Sequence, residues 1–221
     1  MIPHYPYTNE SLDAVVKGLD VQSSDDIIGV LGSGDQAFAM IEYANSVLAV
    51  DNNKVQVAYA QERKAMLREG NIERFLHPEC LPEITGKYKG HMDSIVDYFS
   101  QPGRLERIRQ KLDLLEIKKT ANVLDKMKEG RFSKAYLSNI IGFNGFMIKP
   151  NAQKAFVKEL ANRLRMPGLI YFTSTSWLRL EKMHEIENDK ALTIAARQEE
   201  DKLYSGEYAS GWRVLVYRRT A

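Results

Sequence analysis

Apolar residues recur at helical spacing at Leu12, Val15, Val16 and Leu19, behind Thr8 and Asn9 as caps, and predict a first helix. After the turn Ser23-Ser24-Asp25 the pattern changes. Asp26-Ile27-Ile28-Gly29-Val30-Leu31 is apolar at almost every position, and so is Val47-Leu48-Ala49-Val50. Continuous apolarity over strand length predicts strands covered on both faces, as in a parallel sheet. Between the two runs lie Gly32-Ser33-Gly34-Asp35 and a short helix marked by Ala37, Phe38, Met40 and Ile41. Lys54 to Glu69 then predicts a longer helix closed by Gly70. Residues 26–70 thus predict a βαβ unit with a right-handed crossover.

Pro78, Pro82 and Pro102 break the next stretch into pieces. Met92 to Phe99 and Leu105 to Leu115 predict helices, and Leu114 to Ile117 a third strand. From Lys134 the alternation resumes: a strand over Ala135 to Ile141, a loop over Gly142 to Gly145, a helix over Pro150 to Leu164 and a strand over Gly168 to Thr173. Leu178 to about Glu200 predicts a helix. Leu203-Tyr204 and Arg213 to Tyr217 predict two short strands closing as a hairpin around Gly206 to Gly211. The whole pattern predicts an α/β protein with a Rossmann-like doubly wound sheet, mostly parallel, with a C-terminal antiparallel hairpin. One domain is expected over residues 1–221, with an N-terminal helical cap in 1–24 and a mostly helical insert in 71–130.

Composition narrows the classes. The chain is 44% hydrophobic and 27% charged, as in ordinary globular domains. Its single cysteine, Cys80, excludes an internal disulfide framework and a Cys-rich zinc site, and His77 with Cys80 is one isolated pair. A net charge of +2 without a basic stripe argues against a nucleic-acid binder. No 18-residue apolar run predicts a membrane span. Met1 to Glu10 lacks the pattern of a signal peptide, so a cytoplasmic setting is the expectation. Ser174 and Ser176 do not sit in a G-x-S-x-G elbow.

The candidate chemistry lies at Gly32-x-Gly34-x-x-Ala37, after the first strand, with Asp51 at the tip of the second. Glycines admit a ligand close to the backbone, the next helix offers free N–H groups, and a carboxylate on the second strand suits ribose hydroxyls. Ser138 and Asn139 are expected in the same crevice. Two cofactors suit this arrangement, a dinucleotide such as NAD and S-adenosylmethionine. Three features favour S-adenosylmethionine: one α/β domain, the predicted closing hairpin, and Asp35 after the second glycine. That carboxylate repels a pyrophosphate but suits an ammonium.

The stretch Val50-Asp51-Asn52-Asn53-Lys54-Val55-Gln56 resembles the D-x-N-x-x-Q signature of the S-adenosylmethionine:diacylglycerol 3-amino-3-carboxypropyl transferases, the betaine-lipid enzymes. Tyr5-Pro6-Tyr7-Thr8-Asn9-Glu10-Ser11 is similar to that family's N-terminal aromatic-polar-acidic motif. Ala135-Tyr136-Leu137-Ser138-Asn139-Ile140 resembles its fourth-strand segment, and Asp201-Lys202-Leu203-Tyr204-Ser205-Gly206 its late D-[RK]-x-x-Y-G motif with one residue fewer. The glycine turn is shorter than the family's, and the N-terminal motif lacks its Cys-Trp pair, so cofactor and reaction type carry over more readily than the lipid substrate.

The resemblance implies transfer at the methionine γ-carbon, by aminocarboxypropyl transfer or a related cyclisation that releases methylthioadenosine. It places Glu10 and Tyr204 as catalytic residues and Tyr7 near the acceptor. It gives Asp35 the ammonium and Asp51 the ribose, with Asn52 and Asn122 beside the adenine. A small-molecule or lipid acceptor is implied. Tyr204 and Tyr208 suit hairpin packing equally well, and Glu10 suits a plain helix-start acid. The alternatives are a methyltransferase, a non-catalytic cofactor-binding protein and an NAD-dependent oxidoreductase.

Overall fold

The computed structural model describes residues 2–78, 82–140, 150–174, 192–199 and 213–219. Seven strands form one sheet: β1 (Asp26–Val30), β2 (Ser46–Asp51), β3 (Leu115–Lys119), β4 (Lys134–Tyr136), β5 (Gly168–Ser174), β6 (Leu192–Glu199) and β7 (Arg213–Arg219). Their order is β3-β2-β1-β4-β5-β7-β6. β1 to β5 pair in parallel, and β7 inserts antiparallel between β5 and β6. Among the described residues the α-helices are α1 (Leu12–Gly18), α2 (Asp35–Ile41), α3 (Lys54–Glu69), α4 (Ile72–Leu76), α5 (Pro82–Phe99), α6 (Arg104–Gln110) and α7 (Pro150–Arg163).

The apolar runs are continuous because each strand feeds two cores. Along β1, Ile27 packs into one cluster and Ile28 into the other; along β2, Val47 and Ala49 alternate with Leu48 and Val50. β5 and β7 do the same, with Tyr171 and Val216 on one face and Ile170, Phe172 and Leu215 on the other. Successive side chains of a strand point to opposite faces, so strands covered on both sides have no polar face. Helices α1 to α6 supply residues to the first core, and α7 with the turn over residues 123–127 supplies the second.

The predicted α3 coincides with the observed one. Asn53 caps its start by accepting from Val55 N, and Gly70 closes it at φ +80°. Ser11, not Thr8 or Asn9, caps α1. α5 begins ten residues before the predicted start at Met92, because Pro82 opens the helix rather than breaking it. β3 runs one residue later at its start and two later at its end than predicted, and places part of the 71–130 stretch inside the sheet. β4 is shorter than its predicted span.

One expectation at the C-terminal end is corrected. Residues 192–199, predicted helical, form strand β6. Leu192 to Glu199 is rich in helix-favouring Ala, Gln and Glu, but seven ladder positions on β7 override that propensity. β6 pairs antiparallel with β7, and the predicted strand Leu203-Tyr204 lies outside the described residues. Tyr204, Tyr208, the Gly142–Gly145 loop and residues 178–191 lie outside the described residues. No helix among the described residues is long and apolar enough to cross a membrane.

Candidate active site

The strand order reverses between β1 and β4, since the chain runs outward through β2 and β3 before returning beside β1. At such a switch point the loops part and leave a crevice over the carboxyl ends of the strands. A cavity of about 470 Å³ opens there. Small-ligand sites typically span about 300–1,000 Å³.

Gly32 and Ser33 after β1, Asp51 at the end of β2 with Asn52 after it, and Ser138 and Asn139 after β4 all line this cavity, with Tyr7 and Glu10. Thr120, Ala121 and Val123 after β3 line it too. Gly32 has φ +52° and a Cβ placed on it would meet nothing within 4 Å, so the turn is open toward the cavity. Gly34 has φ +91° and lies off the cavity; its Cβ would stand 3.2 Å from that of Ala60. The first glycine therefore leaves room for a ligand and the second lets α2 approach α3.

Asp51 accepts from the Asn53 backbone N–H at 2.8 Å, and the backbones of Gly32 and Asn52 also donate to it. These bonds aim the carboxylate. Partial burial nevertheless pushes its pKa above the ordinary Asp value.

Glu10 is buried in the strap that precedes α1, residues 4–10, which form no helix or strand. Tyr136 Oη donates to its Oε2 at 2.9 Å, and Thr173 Oγ1 to its Oε1 at 3.1 Å. Ser138 Oγ donates to the same Oε1. Burial raises the Glu10 pKa and outweighs the lowering by these three hydroxyls. A first-turn helix acid would be solvated; this one joins the strap to β4 and β5.

Two predicted site residues stand elsewhere. Asp35 does not line the cavity and is fully buried. Its Oδ1 lies 2.6 Å from Arg63 Nη1, while its Oδ2 accepts from Thr8 N at 2.8 Å and Ser33 Oγ at 2.7 Å. An ammonium partner needs free lone pairs facing the ligand, and these are committed inward. Asn122 also lies off the cavity; its Oδ1 accepts from Leu124 N and caps a short turn.

The sequence reading missed Arg63, Gln36 and Tyr136. Arg63 is buried within α3, 4.7 Å from the Phe75 ring centroid, and donates to Phe75 O at 3.3 and 3.2 Å. Its signal was spacing: Arg63 falls at helical spacing between the apolar, buried Ala60 and Leu67. Gln36 lines the cavity and donates from Nε2 to Thr8 Oγ1, and its Oε1 is buried without a partner among the described residues.

No protein-family model and no curated protein matches the sequence. Solved structures do match the fold. Precorrin-6y C5,15-methyltransferase from Geobacter metallireducens GS-15 is 9% identical, with a TM-score of 0.55 over 97% of this chain and 94% of that one. The N-methyltransferase NodS from Bradyrhizobium japonicum WM9, solved with S-adenosylhomocysteine, is 9% identical with a TM-score of 0.55 over 95% and 84%. Magnesium protoporphyrin IX methyltransferase from Synechocystis PCC 6803, solved with bound S-adenosylmethionine, is 10% identical with a TM-score of 0.53 over 95% and 76%. The chain has the Rossmann-like fold of these methyltransferases.

Proposed function

We propose that the chain is an S-adenosylmethionine-dependent transferase that methylates a small-molecule acceptor. The observation that carries this reading is the cavity at the switch point, with the open glycine turn at Gly32 on one side and the Asp51 carboxylate on the other. The residues present suit an adenosine ligand: Gly32 leaves space against the backbone, and Asp51 is oriented by three backbone donors with acceptor capacity remaining. Two structural neighbours hold S-adenosylmethionine or its demethylated product, which supports the cofactor.

When bound, the cofactor supplies a carbon activated by its sulfonium, which needs no acid to leave. The chain's own work is alignment. Asp51 receives the ribose hydroxyls, and Asn52, Thr120 and Ala121 border the adenine side. Tyr7 borders the acceptor. Glu10 takes the proton released by the acceptor nucleophile, and its raised pKa makes it a stronger base than an ordinary carboxylate.

A second reading, transfer at the methionine γ-carbon, is favoured by one observation. In Asp51-x-Asn53-x-x-Gln56 the three polar residues act together: Asp51 lines the cavity, Asn53 caps α3, and Gln56 holds both backbone groups of Tyr5. The segment thereby ties the N-terminal motif to the ribose site. The two readings differ in the nucleoside product. Mass spectrometry of protein incubated with S-adenosylmethionine and cell extract, against a heat-killed control, is expected to show S-adenosylhomocysteine. Methylthioadenosine would replace the first reading with the second, and neither product would remove both.

A further inference from the structure

Residues 2–10 form no helix or strand. They cross the cavity from α3 to the sheet, and Tyr5, Tyr7, Thr8 and Glu10 line it. Such a segment keeps its path only through specific contacts. Three hold it. Gln56 accepts from Tyr5 N at 3.3 Å and donates to Tyr5 O at 2.8 Å. Tyr59 Oη donates to Pro6 O at 2.7 Å. The third is Asp35, which accepts from Thr8 N at 2.8 Å and is buried with Arg63.

We propose that the Asp35–Arg63 pair is a latch that holds residues 4–10 as a strap over the cavity and so positions Tyr7 and Glu10 against the bound ligand. The identity of that ligand rests on the function proposed above. The geometry explains why two charges are buried here. One Asp35 oxygen faces Arg63, and the other joins the strap at Thr8 N to the glycine turn at Ser33 Oγ. Arg63 Nη1 also donates to Ser33 O at 3.3 Å. Strap and glycine turn are thus fastened to the same carboxylate oxygen, behind the cavity wall that Ser33 and Thr8 both line. Thr8 passes the restraint on, since its Oγ1 accepts from Glu10 N at 3.1 Å and from Gln36 Nε2. Asp35 and Arg63 are positioning residues. They act through Thr8 on the two side chains that touch the ligand.

The test is hydrogen exchange of residues 2–11 and of 54–69, read by mass spectrometry, together with S-adenosylhomocysteine affinity. Two variants are compared with the wild type. Asp35→Asn leaves Arg63 buried without its counter-charge and risks the fold. The double variant Asp35→Leu/Arg63→Met removes both charges, keeps the core filled and deletes the acceptor for Thr8 N. In the double variant, exchange over 2–11 is expected to rise roughly tenfold, because backbone donors lose their restraint, while 54–69 stays protected. Affinity for S-adenosylhomocysteine is expected to fall roughly tenfold, as binding must then order the strap. Equal exchange over 2–11 in wild type and double variant would overturn the latch. Faster strap exchange with unchanged affinity would overturn the positioning role, while loss of affinity in Asp51→Ala would still uphold the cofactor site. If the wild type binds no S-adenosylhomocysteine, the functional reading fails, and faster strap exchange in the variant still upholds the latch.

Discussion

Substituting the two glycines of the turn separates a ligand-facing role from a structural one. Both adopt positive φ, +52° at Gly32 and +91° at Gly34, so alanine at either position pays a backbone penalty of roughly 1–2 kcal/mol. They differ in what the new methyl group meets. At Gly34 it stands 3.2 Å from Ala60 Cβ and 3.4 Å from Phe38 Cε2, between α2 and α3. Crowding in a packed site adds about 1–3 kcal/mol. At Gly32 nothing beyond the adjoining residues lies within 4 Å, and the residue borders the cavity. Gly32→Ala is therefore expected to lower the melting temperature by only about 2–8 °C, since about 1 kcal/mol shifts a chain of this size by about 2–4 °C. Gly34→Ala is expected to lower it by roughly twice as much. Ligand binding should show the opposite order. A methyl group pressed against a bound nucleoside carries the crowding cost into the complex, and about 1–3 kcal/mol weakens binding roughly 5- to 150-fold. Gly34→Ala, measured below its melting transition, should bind within a few-fold of wild type. The assay is titration calorimetry with S-adenosylhomocysteine alongside thermal melting. If Gly32→Ala melts early yet binds normally, no ligand rests on the turn and the proposed site is wrong.

Two further outcomes follow from the carboxylates. Asp51→Ala should weaken S-adenosylhomocysteine binding by roughly 10- to 150-fold, the loss of a hydrogen bond to a charged group at about 1.5–3 kcal/mol, with the chain still folded by circular dichroism; unchanged affinity would refute the ribose assignment. Glu10 has a folded pKa raised by burial, so the native state holds its proton over a pH range in which the unfolded chain has released it. Its contribution to stability is therefore greatest below the ordinary Glu pKa and declines as pH rises to the raised folded value. Glu10→Gln should flatten the decline in melting temperature across that range and slow turnover. Melting curves of wild type and variant that run parallel from acid to neutral pH would contradict the burial argument.

The fold was legible because strands covered on both faces cannot hide their character. Ile27-Ile28, Val47 to Val50 and Leu169 to Phe172 are apolar without alternation, and every one of those residues is buried in the sheet. The α3 boundaries were equally plain, since Asn53 and Gly70 act through local backbone geometry alone. That Gly32, Asp51 and Ser138 border one cavity was legible because they stand at or just past the carboxyl ends of predicted strands.

What remained closed was every feature set by contacts distant in sequence. β6 is a strand because β7 lies beside it, although its own residues favour a helix. Asp35 followed the second glycine where a ligand partner was expected, but Arg63, 28 residues on, turns it into the core. Glu10 meets hydroxyls 126, 128 and 163 residues away. Local propensity and periodicity are properties of neighbouring residues, so the chain alone determined its doubly covered strands, its glycine turn and the tip of β2. The orientation of a carboxylate depends on which donors surround it in space, and only the packed sheet and helices decided that Asp51 faces the cavity while Asp35 faces the core.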